Sequence, residues 1–436
     1  MSINAKIAEL TNKLESTTIE RRRDFHRHAE AGWTEFRTAS IVADQLTKLG
    51  YKVQVGDEVV DSENMMGVPA SSELSNQASR AIEQGANPEW VNKMEGGKTG
   101  VMGIMEFNKP GPTIALRFDL DANDANEAET NEHRPYSEKF NSINKGAMHA
   151  CGHDGHTAVG LAVAEIIAEL KGELRGTIKF IFQPAEEGVR GAKAMVAKGI
   201  VDDVDYLLGM HFGFQLKKTG QIACNVTGFL ATSKYDATFT GVPAHAGAAP
   251  EVGRNALLAA AAAVLNLHAI PRHSEGTSRI NVGTMQAGSG RNVIAPKAVI
   301  KLETRGGSST INKFMSDEAY RIINSAATMH DVKVEITEMG GAAGCSNSPE
   351  LADDLAKVAE KLGIFNEIVP ECDFGASEDC SYFMERVQEK GGQAAYTLIG
   401  AGLAAGHHDS CFDFDENALA MAVRFVSTAA TDLLLR

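Results

Sequence analysis

The sequence predicts an α/β protein in which a mostly parallel sheet flanked by helices is interrupted by an inserted ferredoxin-like α+β domain. Two observations carry this. Through the first half, short apolar runs alternate with helical patterns, the rhythm of parallel strands joined by crossover helices. TIALRFDL (113–120), TIKFIFQ (177–183) and YLLGMHF (206–212) each read as a strand that delivers charged or imidazole groups at its C-terminal end, where open α/β sheets place their sites. Between 231 and 339 the rhythm changes to strand (234–241), helix (254–267), two strands (278–285 and 298–304), helix (311–329) and strand (332–336). That βαββαβ order is the ferredoxin-like one. The flanking segments, 1–230 and 340–436, then form one discontinuous domain, completed by a helix at 349–362 and a returning strand at 394–399. Within it, residues 57–97 are polar, contain a helical pattern from 72 to 93, and read as a surface insertion.

Bulk properties narrow the function. A chain of 436 residues exceeds what one hydrophobic core supports, and 43% apolar residues can fill two. Lys+Arg number 42 against 57 Asp+Glu, and the acidic residues are dispersed, which excludes a nucleic-acid surface. An anionic substrate therefore needs a local basic pocket. Six cysteines without a CxxC pair point to reduced thiols and a cytoplasmic setting. The opening MSINAKIAELTNKLES is an amphipathic helix pattern with no signal-peptide core. The most apolar stretch, 256–270, is broken by Asn266 and His268 and falls short of the roughly 20 residues a membrane span needs. GSGRN (288–292) lacks the strand-turn-helix setting of a nucleotide loop.

The chemistry concentrates in MHACGHDGH (148–156), where a thiol, three imidazoles and a carboxylate crowd together. Cys151 and His153 flank Gly152, so a turn there lets sulfur and imidazole converge on a borderline-soft divalent ion. A Cys/His nucleophile pair is the competing reading. QPAEEG (183–188) argues for metal: adjacent Glu186 and Glu187 would repel each other unless a cation lay nearby. One glutamate then ligates while the other takes a proton from water. His211 ends the third apolar run. The pair His407-His408 follows the last strand and can approach the same edge. Cys, His, Glu, His and His make five protein ligands, which suits two ions better than a single tetrahedral zinc. In the inserted domain, His245 lies on the glycine-bounded turn GVPAHAG (241–247), and Asn292 and Arg305 fall near strand ends. Arg305 suits a carboxylate clamp, or pairs with neighbouring Glu303.

Taken in order, RFDLDA (117–122), MHACGHDGH, QPAEEG, GMH (209–211), GVPAHAG, RNVIAP (291–296), GASED (375–379) and GHHDSCFDFDE (406–416) resemble the dinuclear metallopeptidase family of hippurate hydrolases, N-acyl-amino-acid amidohydrolases and auxin-conjugate hydrolases. The resemblance implies metal ligation by Cys151, His153, Glu187, His211 and His408, with Glu186 as general base. His408 is preferred to His407 because its spacing to Phe412 matches the family's H-x-x-x-F-D pattern. The resemblance also implies that Asp119, Asp121, Glu378 and His407 flank the ligands, that His245 reaches the reacting carbonyl of a neighbouring protomer, and that Asn292 and Arg305 hold the substrate's carboxylate. Two divalent ions, Mn2+ or Zn2+, are the implied cofactors. The implied substrate is a small anionic N-acyl amino acid, p-aminobenzoyl-glutamate above all, with general acyl-amino-acid or dipeptide hydrolysis and a non-catalytic companion role as alternatives. The inserted domain becomes a lid that forms a homodimer, or a heterodimer with a homologous companion. One departure stands out: the family's D-A-L-P reads Asp121-Ala122-Asn123-Asp124 here.

Overall fold

In the computed structural model, which describes residues 2–436, the apolar runs become strands of one eight-stranded sheet. In chain order the strands are β1 (Lys52–Val55), β2 (Val101–Glu106), β3 (Thr113–Asp119), β4 (Thr177–Gln183), β5 (Tyr206–Phe212), β6 (Gln221–Ala223), β7 (Glu367–Val369) and β8 (Gln393–Ile399). Their spatial order is β1-β2-β4-β3-β5-β8-β6-β7. The centre, β4-β3-β5-β8, is parallel, while β1, β2 and β6 pair antiparallel at its flanks. After its first residue each central strand is buried throughout, so both faces are covered and no polar alternation appears.

Helix His153–Leu170 is apolar nearly all round and buried, the signature of a helix enclosed by others. It packs with Ile3–Arg27 and Asn417–Leu434. Gly160 makes its approach to the sheet possible, since a Cβ there would lie 2.7 Å from Phe182 and 2.8 Å from Phe118. Helix Cys380–Glu389 packs on β5 and β8.

The helical pattern at 72–93 is two helices, Ser71–Glu83 and Pro88–Lys93. Gly85 adopts φ +97°, Asn87 caps the second helix through Glu89 N–H, and Pro88 takes its first turn, so the break is written in the local residues. Leu74, Ala81, Val91 and Met94 of this segment are buried, and both helices pack on Phe36–Lys48.

The chain divides into two units. The first comprises the chain through Thr227, Ser346–Phe374 and Asp379–Arg436; the second comprises Gly228–Cys345 and Gly375–Glu378. The second holds an antiparallel sheet of Lys333–Ala342, Ala231–Thr240, Lys297–Gly306 and Ser278–Ala287, in that spatial order. Numbered along the chain this is 4-1-3-2, with helices Ala256–Leu267 and Ser309–Met329 packing Tyr235, Phe239, Ile300 and Met315 into one core, a ferredoxin-like arrangement.

A charged cluster ties distant segments of the first unit together. Buried Arg22 lies 2.8 Å from Asp154, 2.8 Å from Asp413 and 3.3 Å from Glu416, and Arg134 reaches the last two at 2.6 and 3.0 Å. His26 sits between Asp154 at 2.8 Å and Glu127 at 2.9 Å. Burial alone would raise these carboxyls, but the arginines and His26 hold Asp154, Glu127, Asp413 and Glu416 below their ordinary values. A carboxyl bound lower in the fold than in the unfolded chain stabilises fully above its ordinary range and loses that contribution as pH falls through it. Glu30 and Glu35, raised by burial, act in the opposite sense but are fewer. The cluster's share of the thermal midpoint is expected to hold between about pH 7 and 5 and to drop below about pH 4, in addition to the earlier loss below about pH 6.5 as the neutral His149, His211 and His407 are forced to take protons. An unchanged midpoint near about pH 3 would mean that the cluster contributes nothing.

Candidate metal centre

The C-terminal ends of β3, β4 and β5 meet the start of helix His153–Leu170. Gly152 takes φ +90°, a conformation that favours glycine, and this turn sets Cys151 and His153 side by side at the helix start. Pro184 ends β4, and the turn behind it carries Glu186 and Glu187.

Two triads of donor atoms result, each within 4.8 Å: Cys151, His153 and Glu187, and Cys151, His211 and His407. Cys151 belongs to both. Its Sγ lies 3.5 Å from His211 Nε2. His153 donates Nδ1–H to the Asp121 carbonyl at 2.9 Å, which leaves its buried Nε2 facing the cluster without a hydrogen-bond partner. His211 and His407 both turn a ring N–H to the Phe212 carbonyl, at 2.8 and 3.1 Å, which frees the other nitrogen of each ring. These tautomers follow from carbonyls being acceptors only.

His156 also comes within 4.8 Å of His153 and His211, but both its nitrogens are engaged. Nδ1 faces Asp119 at 2.6 Å, and Nε2 accepts the Phe212 N–H at 3.1 Å. His156 is therefore a brace rather than a donor.

The charge balance suits a cation. Burial disfavours a charged His153, yet Asp119, Asp121 and Glu187 outweigh it and push its pKa up to about 10. Without a metal, the pocket would recruit a proton instead. Burial likewise opposes ionised Glu187, but His408 and His153 bring it down to about 2. His211 is held well below its ordinary value by burial and neighbouring imidazoles, and His407 falls to about 4. Both rings are thus neutral, the form that ligates. A soft thiolate, imidazole nitrogens and a carboxylate fit a borderline divalent ion such as zinc, and manganese through the carboxylate.

Sequence spacing preferred His408 to His407, and the structure gives each a distinct place. His407 stacks on Phe214 at 4.4 Å and converges with Cys151 and His211. His408, with φ +66° and a side chain 60% exposed, puts Nε2 3.4 Å from Glu187 Oε1. The motif alone could not reveal that the adjacent histidines face different neighbours, His407 towards Cys151 and His211 and His408 towards Glu187.

Glu186 is nearly buried, with Oε2 3.9 Å from His153 Nε2. Asp121 holds the turn: its two carboxylate oxygens accept the Glu186 and Glu187 N–H groups at 3.0 and 2.9 Å. Asn123, at the departure from the family's pattern, accepts the Ala150 N–H at 3.1 Å and hydrogen-bonds Glu187, so the substitution adds a tether. Asp119 also takes Arg117 at 2.8 Å, and Arg117 reaches Gln183 at 2.8 Å. Ala185, Val189, Phe214 and His408 all have positive φ, which places backbone strain on the loops of the cluster.

Glu378, His245, Asn292 and Arg305 lie in the second unit. His245 is exposed, and its Nδ1 accepts the Gly247 and Ala248 N–H groups at 3.2 and 3.1 Å, which leaves Nε2–H as an outward donor. Asn292 is exposed beside it, with its carbonyl taking the Ala246 N–H at 3.0 Å. Arg305 pairs with Glu303 through Nε and Nη2 at 2.9 and 3.2 Å, as the local spacing allowed. Arg279, which nothing in the local sequence singles out, lies directly across from Arg305. The signal was the strand register, invisible before the two strands are paired.

Residues 115–432 match the family described as Peptidase family M20/M25/M40. The chain is 49% identical over 423 residues to one of the subunits of the p-aminobenzoyl-glutamate hydrolase of Escherichia coli (strain K12), covering 97% of each chain. It is 49% identical to indole-3-acetyl-aspartic acid hydrolase of Enterobacter agglomerans, covering 94% of each. A crystal structure of an aminobenzoyl-glutamate utilization protein from Klebsiella pneumoniae superposes with a TM-score of 0.85 at 42% identity, covering 97% of both chains.

Proposed function

The chain belongs to peptidase family M20/M25/M40 and is an amide-bond hydrolase of that family, and we propose that it cleaves N-aromatic-acyl conjugates of acidic amino acids, p-aminobenzoyl-glutamate foremost. The observation that carries the reading is the paired triad sharing Cys151, with Glu186 beside it but in neither triad. Cys151, His153 and Glu187 would hold one divalent ion, and Cys151, His211 and His407 a second, with His408 completing the first through its approach to Glu187. When bound, the ions, Mn2+ or Zn2+, supply Lewis acidity that lowers the pKa of water and polarises the amide carbonyl. Glu186 takes the proton of the attacking water and returns it to the leaving nitrogen. Asp121 keeps Glu186 and Glu187 apart in role by fixing both backbone amides. His245 Nε2–H is suited to steady the developing oxyanion, on a neighbouring protomer, with the second unit as the surface that pairs with itself or a homologous companion. Six cysteines that form no disulfide fit a reducing, cytoplasmic setting.

Two relatives of 49% identity are named for conjugates of glutamate and aspartate. An acidic amino acid brings a second carboxylate, which needs a second cation. Arg279 opposite Arg305 answers that need, because Glu303 occupies only Nε and Nη2 of Arg305. Like charges directly opposite across strands are destabilising unless something anionic joins them.

The test compares p-aminobenzoyl-glutamate with hippurate and simple dipeptides on the metal-loaded chain, alone and with a homologous companion. The conjugate is expected to be the preferred substrate. Arg279→Met is expected to raise its KM about tenfold, the scale of one charge-assisted contact, and to leave hippurate nearly unchanged. Equal turnover of all three by every form would reduce the reading to a general acyl-amino-acid hydrolase.

A further inference from the structure

Three consecutive amides of the turn behind β4 point at buried carboxylates. Asp121 takes those of Glu186 and Glu187, and a different group, Glu35, takes that of Ala185 at 2.8 Å. Glu35 is completely buried on the loop before helix Phe36–Lys48, and its Oε2 lies 2.5 Å from Thr99 Oγ1. Ala185 needs such a hold, since it adopts φ +50° without being glycine. The two turns also touch: a Cβ on Gly32 would lie 3.0 Å from Ala185 Cα.

Burial among neutral partners favours the protonated form of Glu35, and the hydrogen bonds accommodate it. Thr99 has one hydroxyl proton and two acceptors in reach, Glu35 Oε2 at 2.5 Å and the Gly97 carbonyl at 3.3 Å. A neutral Glu35 donates its acid proton to Thr99, Thr99 donates to Gly97, and Glu35 Oε1 still accepts the Ala185 amide. Every group is then satisfied. An ionised Glu35 would stand as a buried anion between two neutral donors, the Thr99 hydroxyl and the Ala185 amide, with the Asp121 carboxylate as its nearest charge. The charged group acting on it is the Asp121 carboxylate; Glu30, on the same loop, is turned to Thr38 and Arg80, and Arg190 to the Glu187 and Gly67 carbonyls. Burial and then Asp121 push its pKa up to about 8.

We propose that Glu35 is a positioning residue, held as the neutral acid beneath the turn that carries Glu186 and Glu187. This rests on reading those two as base and ligand. Its neutrality lets a further carboxyl brace the centre without adding to the negative charge already there. Asp121 then keeps both its amides.

Glu35→Gln preserves the neutral hydrogen-bonding shape, whereas Glu35→Ala removes it. The holoenzyme is expected to keep kcat within about twofold in Glu35→Gln and to lose roughly 10–100-fold in Glu35→Ala, with KM little changed. The infrared difference spectrum of wild type against Glu35→Gln should contain the C=O band of a protonated carboxyl near neutral pH. Absence of that band overturns the neutral assignment, and a loss in Glu35→Gln as large as in Glu35→Ala overturns it as well. Unchanged kcat in Glu35→Ala overturns the positioning role. Should Glu35→Ala fail to fold, the glutamine variant and the band decide. Should wild type prove inactive on p-aminobenzoyl-glutamate, the substrate reading fails, while the band and the manganese affinity of Glu35→Gln, expected to match wild type, still judge Glu35.

Discussion

Glu186→Ala is expected to retain about two metals per chain and to lose turnover by roughly 10²- to 10⁴-fold, the range a positioned general base supplies. The reason lies in the turn. Asp121 fixes the backbone amides of both glutamates, so truncating one side chain leaves the other in place. Glu187 then keeps its contact with His408 and its convergence with Cys151 and His153. Metal analysis and kcat on one preparation check this. A variant that kept even about a tenth of the activity would remove Glu186 from the role of base. Glu187→Ala should behave differently, losing metal and activity together. Two neighbouring carboxylates would thereby be told apart by what each loss takes with it.

Cys151→Ser is expected to empty the centre. Cys151 is the residue common to both triads, so replacing its thiolate with a hard, neutral hydroxyl weakens two sites at once. The fall in metal affinity should exceed the 10–100-fold typical of losing an outer-sphere partner. Dialysis against a weak chelator, followed by metal analysis, reads it directly. If serine kept both metals and only sensitivity to alkylation vanished, Cys151 would be a nucleophile and the shared-ligand account would fall.

The fold was legible where the chain repeats a simple physical instruction. Strands β3, β4 and β5 are apolar throughout because both faces are covered, and such runs announce themselves. The ferredoxin-like order emerged because two helices separate strands of sufficient length. Short elements did not announce themselves: β1 and β6 have four and three residues, too few for any period to register. The helix break at Gly85 to Pro88 was visible in principle, yet the helical pattern runs across it. Cys151, His153, Glu187 and His211 were found because each sits at the end of a readable element, and the structure brings them together. Glu35 and Arg279 were not, since their meaning depends on pairing with residues far along the chain. His407 and His408 mark the limit of motif reasoning, because adjacent residues on a positive-φ loop point to different neighbours.

Strand β8 lies between β5 and β6, hydrogen-bonded to both. The chain makes β5 and β6, departs to build an entire second unit, and only then returns to fill the gap between them. Pairings of such long sequence separation form slowly, because loop closure must precede the contacts that reward it. The His407 and His408 loop follows that strand directly, so the last wall of the centre arrives with the last gap in the sheet. During synthesis the emerging polypeptide therefore holds Cys151, His153 and Glu187 long before it holds a complete hydrolase, and the capacity to cut amide bonds is withheld until folding is nearly finished.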